Sequence, residues 1–179
     1  IGMISAPDMV DKIQNELLDI KIPVVLDPII NSGTGENLST KETYERIKNL
    51  LFPLTTIITP NTNEAKILTN SKNLDSAADE LLNYGTESVL ITGEHNDTSN
   101  VINTLYRKTS PAINYTWERL PGMFHGSGCT LSSRIAANLA LGKNLEKSVQ
   151  DAQEYTWETL KYALSIGKGQ NHPNRFFKK

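Results

Sequence analysis

Apolar positions along this chain alternate between two rhythms, one of helical spacing and one of short unbroken runs. Val10, Ile13, Leu17 and Ile20 recur at helical intervals, and Ser5 with Asp8 has the spacing of a capping box, so the opening twenty residues predict an amphipathic helix. "IPVVLDP" (22–28) is a continuous apolar run, the pattern of a strand buried on both faces of a parallel sheet. "INSGTGENLS" reads as a Gly-rich loop. "STKETYERIKNLLF" follows as a helix, with Ser39 and Glu42 as its box and Ile47, Leu50 and Leu51 facing inward.

The rhythm then repeats. "TTIITPN" (55–61) predicts a strand, "NTNEAKILT" a short helix, "LDSAADELLNYG" a helix stopped by Gly85, and "SVLIT" (88–92) a third strand. "NVINTLY" (100–106) and "INYTWE" (113–118) alternate as paired strands, with a turn expected at Ser110-Pro111. Two helices close the chain, roughly 128–141 and 144–165, the second with Leu145, Val149, Ala152, Leu160 and Leu164 near one stripe. This order predicts an open α/β sheet with helices on both faces, formed as one domain over 1–179 without linker or repeat. The start at Ile1, already inside a helical pattern, predicts the C-terminal part of a longer protein.

In such sheets ligands bind beyond the carboxyl ends of the strands. Asp27, the group Asn61 to Glu64, and Thr92-Gly93 fall at those ends. The glycine loop before Cys129 is a fourth candidate for the same rim.

Composition narrows the chemistry. The 179 residues are 38% hydrophobic and 21% charged, with a formal net charge of −2. That balance gives no reason to expect nucleic acid or an anionic membrane as partner. No apolar run approaches the roughly 18 residues of a membrane span. The single cysteine excludes an internal disulfide and suits a reducing cytoplasm, and three scattered histidines make no zinc spacing.

That cysteine sits in "HGSGC", where Gly126 and Gly128 permit close approach of a ligand to the main chain. Amides at the start of the following helix would form an anion site, and a thiol in a first helical turn gains thiolate character. A tight loop with Cys129 packed as a small hydrophobe explains the same residues equally well. No glycine follows two residues later, which argues against a nucleophile elbow, and no lysine is present for a Walker loop. Asn61 and Glu64 have the spacing of an N-cap and its third helical residue, the simpler reading; the functional one gives Glu64 to a hydrated magnesium ion. Asp27, before Pro28, either shapes a turn or adds charge to the same metal.

Taken together, "GMISAPDMV", "IPVVLDPII", "LFPLTTIITPNTNEAKIL", "VLITGEH", "HGSGCTLSSRIAANLALG" and "IGKGQNHPN" resemble the ribokinase-like superfamily, and within it the hydroxymethylpyrimidine and phosphomethylpyrimidine kinases of thiamin synthesis. "HGSGCTLSS" is the most specific element of the resemblance, and cysteine at 129, where related sugar and nucleoside kinases carry aspartate, is characteristic of the pyrimidine kinases. The resemblance implies a three-layer α/β/α fold with a mainly parallel central sheet, present here as its C-terminal portion. It implies ATP and Mg2+, a small pyrimidine substrate, a homodimer and a cytoplasmic location. Cys129 would take the proton of the substrate hydroxyl, and Gly126, Ser127 and Gly128 would form the anion hole. Glu64, Asn61 and Asp27 would place the metal, and Thr92 and Gly93 would lie near the nucleotide. Two lysines frequent in the family are missing, one after Asp-Pro and one at Thr92, which weakens phosphate neutralisation unless another group substitutes. Pyridoxal or pyridoxine kinase is the nearest alternative, and a non-catalytic sensing or partner subunit is a different class.

Overall fold

A computed structural model describes residues 1–30, 38–93 and 99–178. Most of the expected Gly-rich loop, and Glu94 and His95 of "LITGEH", lie outside them. The chain forms two compact units, one of residues 1–97 with 102–116, the other of 98–101 with 117–179.

In the first unit, β1 (Val25–Leu26), β2 (Ile57–Ile58) and β3 (Ser88–Ile91) run parallel, with Leu26 beside Ile58 and Ile58 beside Val89. Every residue of the three is buried, as the unbroken apolar runs required. β4 (Asn100–Arg107) joins β3 antiparallel, from Ser88 beside Arg107 to Ile91 beside Thr104. β5 (Ser110–Glu118) closes the order β1-β2-β3-β4-β5. The turn between the last two is Lys108-Thr109, not Ser110-Pro111. Two residues suffice for a hairpin, and Pro111, which lacks an N–H, is tolerated because β5 ends the sheet order.

The helices of this unit are α1 (Pro7–Leu18), α2 (Lys41–Arg46), α3 (Thr62–Thr69) and α4 (Leu74–Asn83). α2 runs on through a π turn, Ile47–Leu51, and a 3-10 turn, Phe52–Leu54. Val10, Leu26, Leu51, Phe52, Ile58, Leu68, Leu81 and Val89 form one core cluster. Each fully buried side chain of this size contributes about 1.5–3 kcal/mol.

Two expected caps are corrected. Pro7 takes the first helical position of α1, so Ala6 becomes the cap with no side-chain bond, and Asp8 pairs with Lys12 instead. α2 is capped by Thr40, whose hydroxyl accepts from the Thr43 amide, while Ser39 donates to the Ile4 carbonyl at 2.6 Å.

In the second unit α5 (Ser127–Ala140) packs on α6 (Leu145–Lys161). Gly142, at φ +79°, follows the end of α5, and Asn144 caps α6 by accepting from the Lys147 amide. The base of the β-ribbon is tied to α6, since Trp117 donates to Gln153 and Trp157 donates to the Glu118 carbonyl. α6 ends four residues earlier than expected, and Leu164 leaves the helical stripe. It forms an antiparallel bridge with His172, exchanging both backbone bonds at 2.8 and 2.9 Å. No helix among the described residues is long and apolar enough to cross a membrane.

Candidate active site

Parallel pairing sets the carboxyl ends of β1, β2 and β3 side by side, and the predicted residues of the first unit follow those ends in order. Asp27 leaves β1 buried, with 6% of its surface exposed. Its amide donates to the Ile1 carbonyl while the Ile1 nitrogen donates to the Val25 carbonyl, so residue 1 forms a parallel rung beside β1. Beyond β2, Asn61 and Thr92 form an isolated parallel bridge: Thr62 donates to the Thr92 carbonyl, and Thr92 to that of Pro60. The predicted metal group at Asn61 and the predicted nucleotide residue Thr92 are thereby neighbours.

The capping box of α3 is complete. Asn61 Oδ1 accepts from the Asn63 and Glu64 amides at 2.9 and 2.8 Å, and Glu64 Oε2 accepts from the Asn61 amide at 2.9 Å. The Asn61 oxygen is therefore engaged within the cap, so an effect of Asn61 on a metal runs through its hold on Glu64.

Gly93 has a structural reason to lack a side chain. A Cβ there would stand 2.4 Å from the Ile102 carbonyl oxygen, and the Gly93 amide donates to Asn103 Oδ1 at 2.9 Å. Asn103, buried in β4, was missed by sequence reasoning because the contact that matters is ten residues away.

Thr59 was missed as well. Its amide continues the ladder to the Leu26 carbonyl, which places it at the carboxyl end of β2, and its buried hydroxyl has no hydrogen-bond partner among the described residues. Such an orphan is costly unless a water or ligand meets it. Asp27 and Thr59 follow β1 and β2, and Glu64 stands in the first turn of α3 just beyond β2; oxygen donors of this kind suit a magnesium ion that brings its own waters and phosphate oxygens. They do not make a protein-only cage, since no group of three His, Cys, Asp or Glu among the described residues could hold a metal.

The second unit presents the other predicted group. α5 begins after Gly126, at φ +89° and ψ 14°, a left-handed conformation that glycine adopts without steric cost. The cap has no side-chain bond, and the first helical hydrogen bond runs from Thr130 N to the Gly126 carbonyl. The amides of the first turn thus receive no acceptor from the cap, and they meet the positive end of the helix dipole. Cys129 lies in this turn and is exposed, not packed as a buried hydrophobe. Gly126, Ser127, Gly128 and Cys129 are consequently brought together at one helix start.

The closing motif braces this loop. Phe124 pairs with Asn171 in a parallel bridge, with His125 donating to the Asn171 carbonyl and Asn171 to that of Met123. The His125 and His172 rings meet edge to face, 5.8 Å between centroids. An open depression lined by Ser5, Leu38, Ser39, Thr40, Lys41 and Tyr44 holds none of the predicted site residues.

This fold is that of the ribokinase-like kinases. A crystal structure of an ADP complex of Bacillus subtilis pyridoxal kinase is 26% identical with a TM-score of 0.86, covering 97% of this chain and 68% of the other. Phosphomethylpyrimidine kinase from Clostridium difficile 630 is 32% identical with a TM-score of 0.74, covering 89% of this chain and 67% of the other. The chain belongs to the phosphomethylpyrimidine kinase family, whose model matches residues 1–174. The hydroxymethylpyrimidine/phosphomethylpyrimidine kinase of Staphylococcus aureus (strain MSSA476) is 28% identical over 98% of this chain, which spans 66% of that relative's length.

Proposed function

We propose that the protein transfers the γ-phosphoryl group of ATP to the hydroxymethyl group, or to the monophosphate, of 4-amino-5-hydroxymethyl-2-methylpyrimidine in thiamin synthesis. The observation that carries the reading is the uncapped start of α5 with an exposed Cys129 in its first turn, in a chain that the family matches over 1–174. In the first phosphorylation, the Cys129 thiolate takes the hydroxyl proton as the substrate oxygen attacks the γ-phosphorus. The bond from that phosphorus to the ADP oxygen breaks, giving the phosphate ester and ADP. The amides of Ser127 and Gly128, with Gly126 shaping the loop, receive the charge on the transferring phosphoryl oxygens.

Within the first unit, Glu64 and Asp27 hold a hydrated Mg2+, with Asn61 fixing Glu64, and Thr92 and Gly93 lie toward the nucleotide. When bound, Mg2+ supplies charge neutralisation on the phosphates. A homodimer working in the cytoplasm belongs to the same proposal and rests on the resemblance alone.

A second reading, pyridoxal kinase, is favoured by the Bacillus subtilis neighbour and its ADP. Turnover of the full protein with ATP and Mg2+ on the pyrimidine alcohol, its monophosphate and pyridoxal separates them. The pyrimidines are expected to give the higher kcat/KM. Preference for pyridoxal overturns the substrate, and ligand binding without transfer to any of the three favours a non-catalytic relative.

A further inference from the structure

Arg175 stands one residue past the family match, and the structure lays its side chain across the start of α5. Its Nε donates to Thr130 Oγ1 at 3.1 Å, and that hydroxyl in turn donates to the Gly126 carbonyl at 2.7 Å. Its Nη2 lies 3.4 Å from where a Cβ on Gly126 would stand.

The backbone that carries the arginine is tied down on both sides of it. Asn174 donates to the Thr159 carbonyl, and Tyr155 donates its hydroxyl to the Arg175 carbonyl, each at 2.9 Å. Among the described residues no carboxylate pairs with the guanidinium, whose one bond is to Thr130. A guanidinium has five N–H donors in a planar fork, so both terminal nitrogens remain available for oxygen acceptors.

Arg175 is an exposed cation anchored by one nitrogen at the positive end of a helix, with no carboxylate partner among the described residues. We propose that Arg175 is a phosphate-binding residue, its Nη groups donating to the transferred phosphoryl group beside the amides of α5. The inference rests on the kinase reading above. It gives the site a cation that the sequence otherwise lacks after Asp-Pro and at Thr92.

The test compares wild type, Arg175→Gln and Arg175→Lys in the full protein with Mg2+, by calorimetric binding of ADP and of the β,γ-methylene analogue of ATP, together with kcat/KM for phosphate transfer. Arg175→Gln should weaken the triphosphate analogue about 10- to 100-fold, the worth of a hydrogen bond to a charged group, while ADP binding stays close to wild type. It should lower kcat/KM about 10²–10³-fold. Arg175→Lys should recover part of both, because it keeps the charge without the fork. Equal weakening of both nucleotides makes Arg175 an anchor of the C-terminal segment and overturns the proposal. So does an unchanged kcat/KM in Arg175→Gln when wild type is active. A wild type that binds both nucleotides yet transfers no phosphate overturns the kinase reading, and the difference between analogue and ADP still decides Arg175. A wild type that binds neither overturns both.

Discussion

Two helices in this chain begin in opposite ways. α3 closes its own N-terminus: Asn61 and Glu64 satisfy amides at both ends of a reciprocal box. α5 begins on a left-handed glycine with no side-chain cap, and the thiol of its first turn is exposed. Leaving the side-chain cap unmade at a glycine forgoes about a few tenths of a kcal/mol of stability. In the proposed reaction the open start of α5 is where the phosphoryl group binds, and the closed start of α3 mounts the carboxylate it carries.

The contrast breaks most sharply at Cys129. Cys129→Ala should lower phosphate transfer about 10²–10⁴-fold, the usual contribution of a general base, while Cys129→Asp retains part of it. Equal activity in wild type and both variants, in a steady-state assay, removes the thiol from the reaction.

The next largest effect is expected at Gly93→Ala, where the new methyl group meets the Ile102 carbonyl at 2.4 Å. Backbone cannot yield as a flexible side chain does, so a loss of about 1–3 kcal/mol is expected, read as a lower denaturation midpoint. A midpoint equal to wild type would mean that the ribbon shifts freely past β3.

At the closed helix, Asn61→Ala should cost about 1 kcal/mol. Glu64→Gln sharpens the comparison, because an amide oxygen can still accept from the Asn61 amide. Stability should hold near wild type while the Mg2+ concentration for half-maximal transfer rises. A fall in stability with unchanged Mg2+ dependence would make Glu64 a cap and nothing more.

The smallest effect belongs to the second turn of α6. Hydrogen bonds from Lys147 and then Lys143 hold the Asp151 carboxyl below the usual carboxylate range. A depressed pKa stabilises the fold above the unfolded value, near pH 4, and that contribution disappears as pH falls through the lower folded value. Asp151→Asn should cost less than about 1 kcal/mol at neutral pH and flatten the acid limb of a denaturation series. An unaltered acid limb would show the pair to be inert.

How much of this was legible in the sequence depended on range. The Asn61–Glu64 box, the stop at Gly85 and the helix after Gly126 are written within a few residues of one another, so spacing and residue type reveal them. Ser39 has the spacing of a cap yet spends its hydroxyl on Ile4, thirty-five residues away, and no local pattern encodes that choice. Leu164 continued a helical stripe on paper, but His172 offered it both backbone bonds. Thr59 and Arg175 are ordinary letters in their own neighbourhoods. Their interest arises only when the fold buries one without a partner and sets the other over Gly126.

The far end of α3 is also secured. Lys48, buried in the π turn, donates its ammonium to the Leu68 carbonyl at 3.0 Å and pairs with Glu45. Burial works against that charge, but the hydrogen bond and charge of Glu45, with a lesser contribution from the Tyr84 hydroxyl, outweigh it and leave the pKa above its ordinary value. A helix of only eight residues would ordinarily fray, and here both tips are pinned. Amide hydrogens along it should therefore exchange with deuterium only when the surrounding unit opens, and the carboxylate it carries would be presented on a rigid rod, not a breathing one.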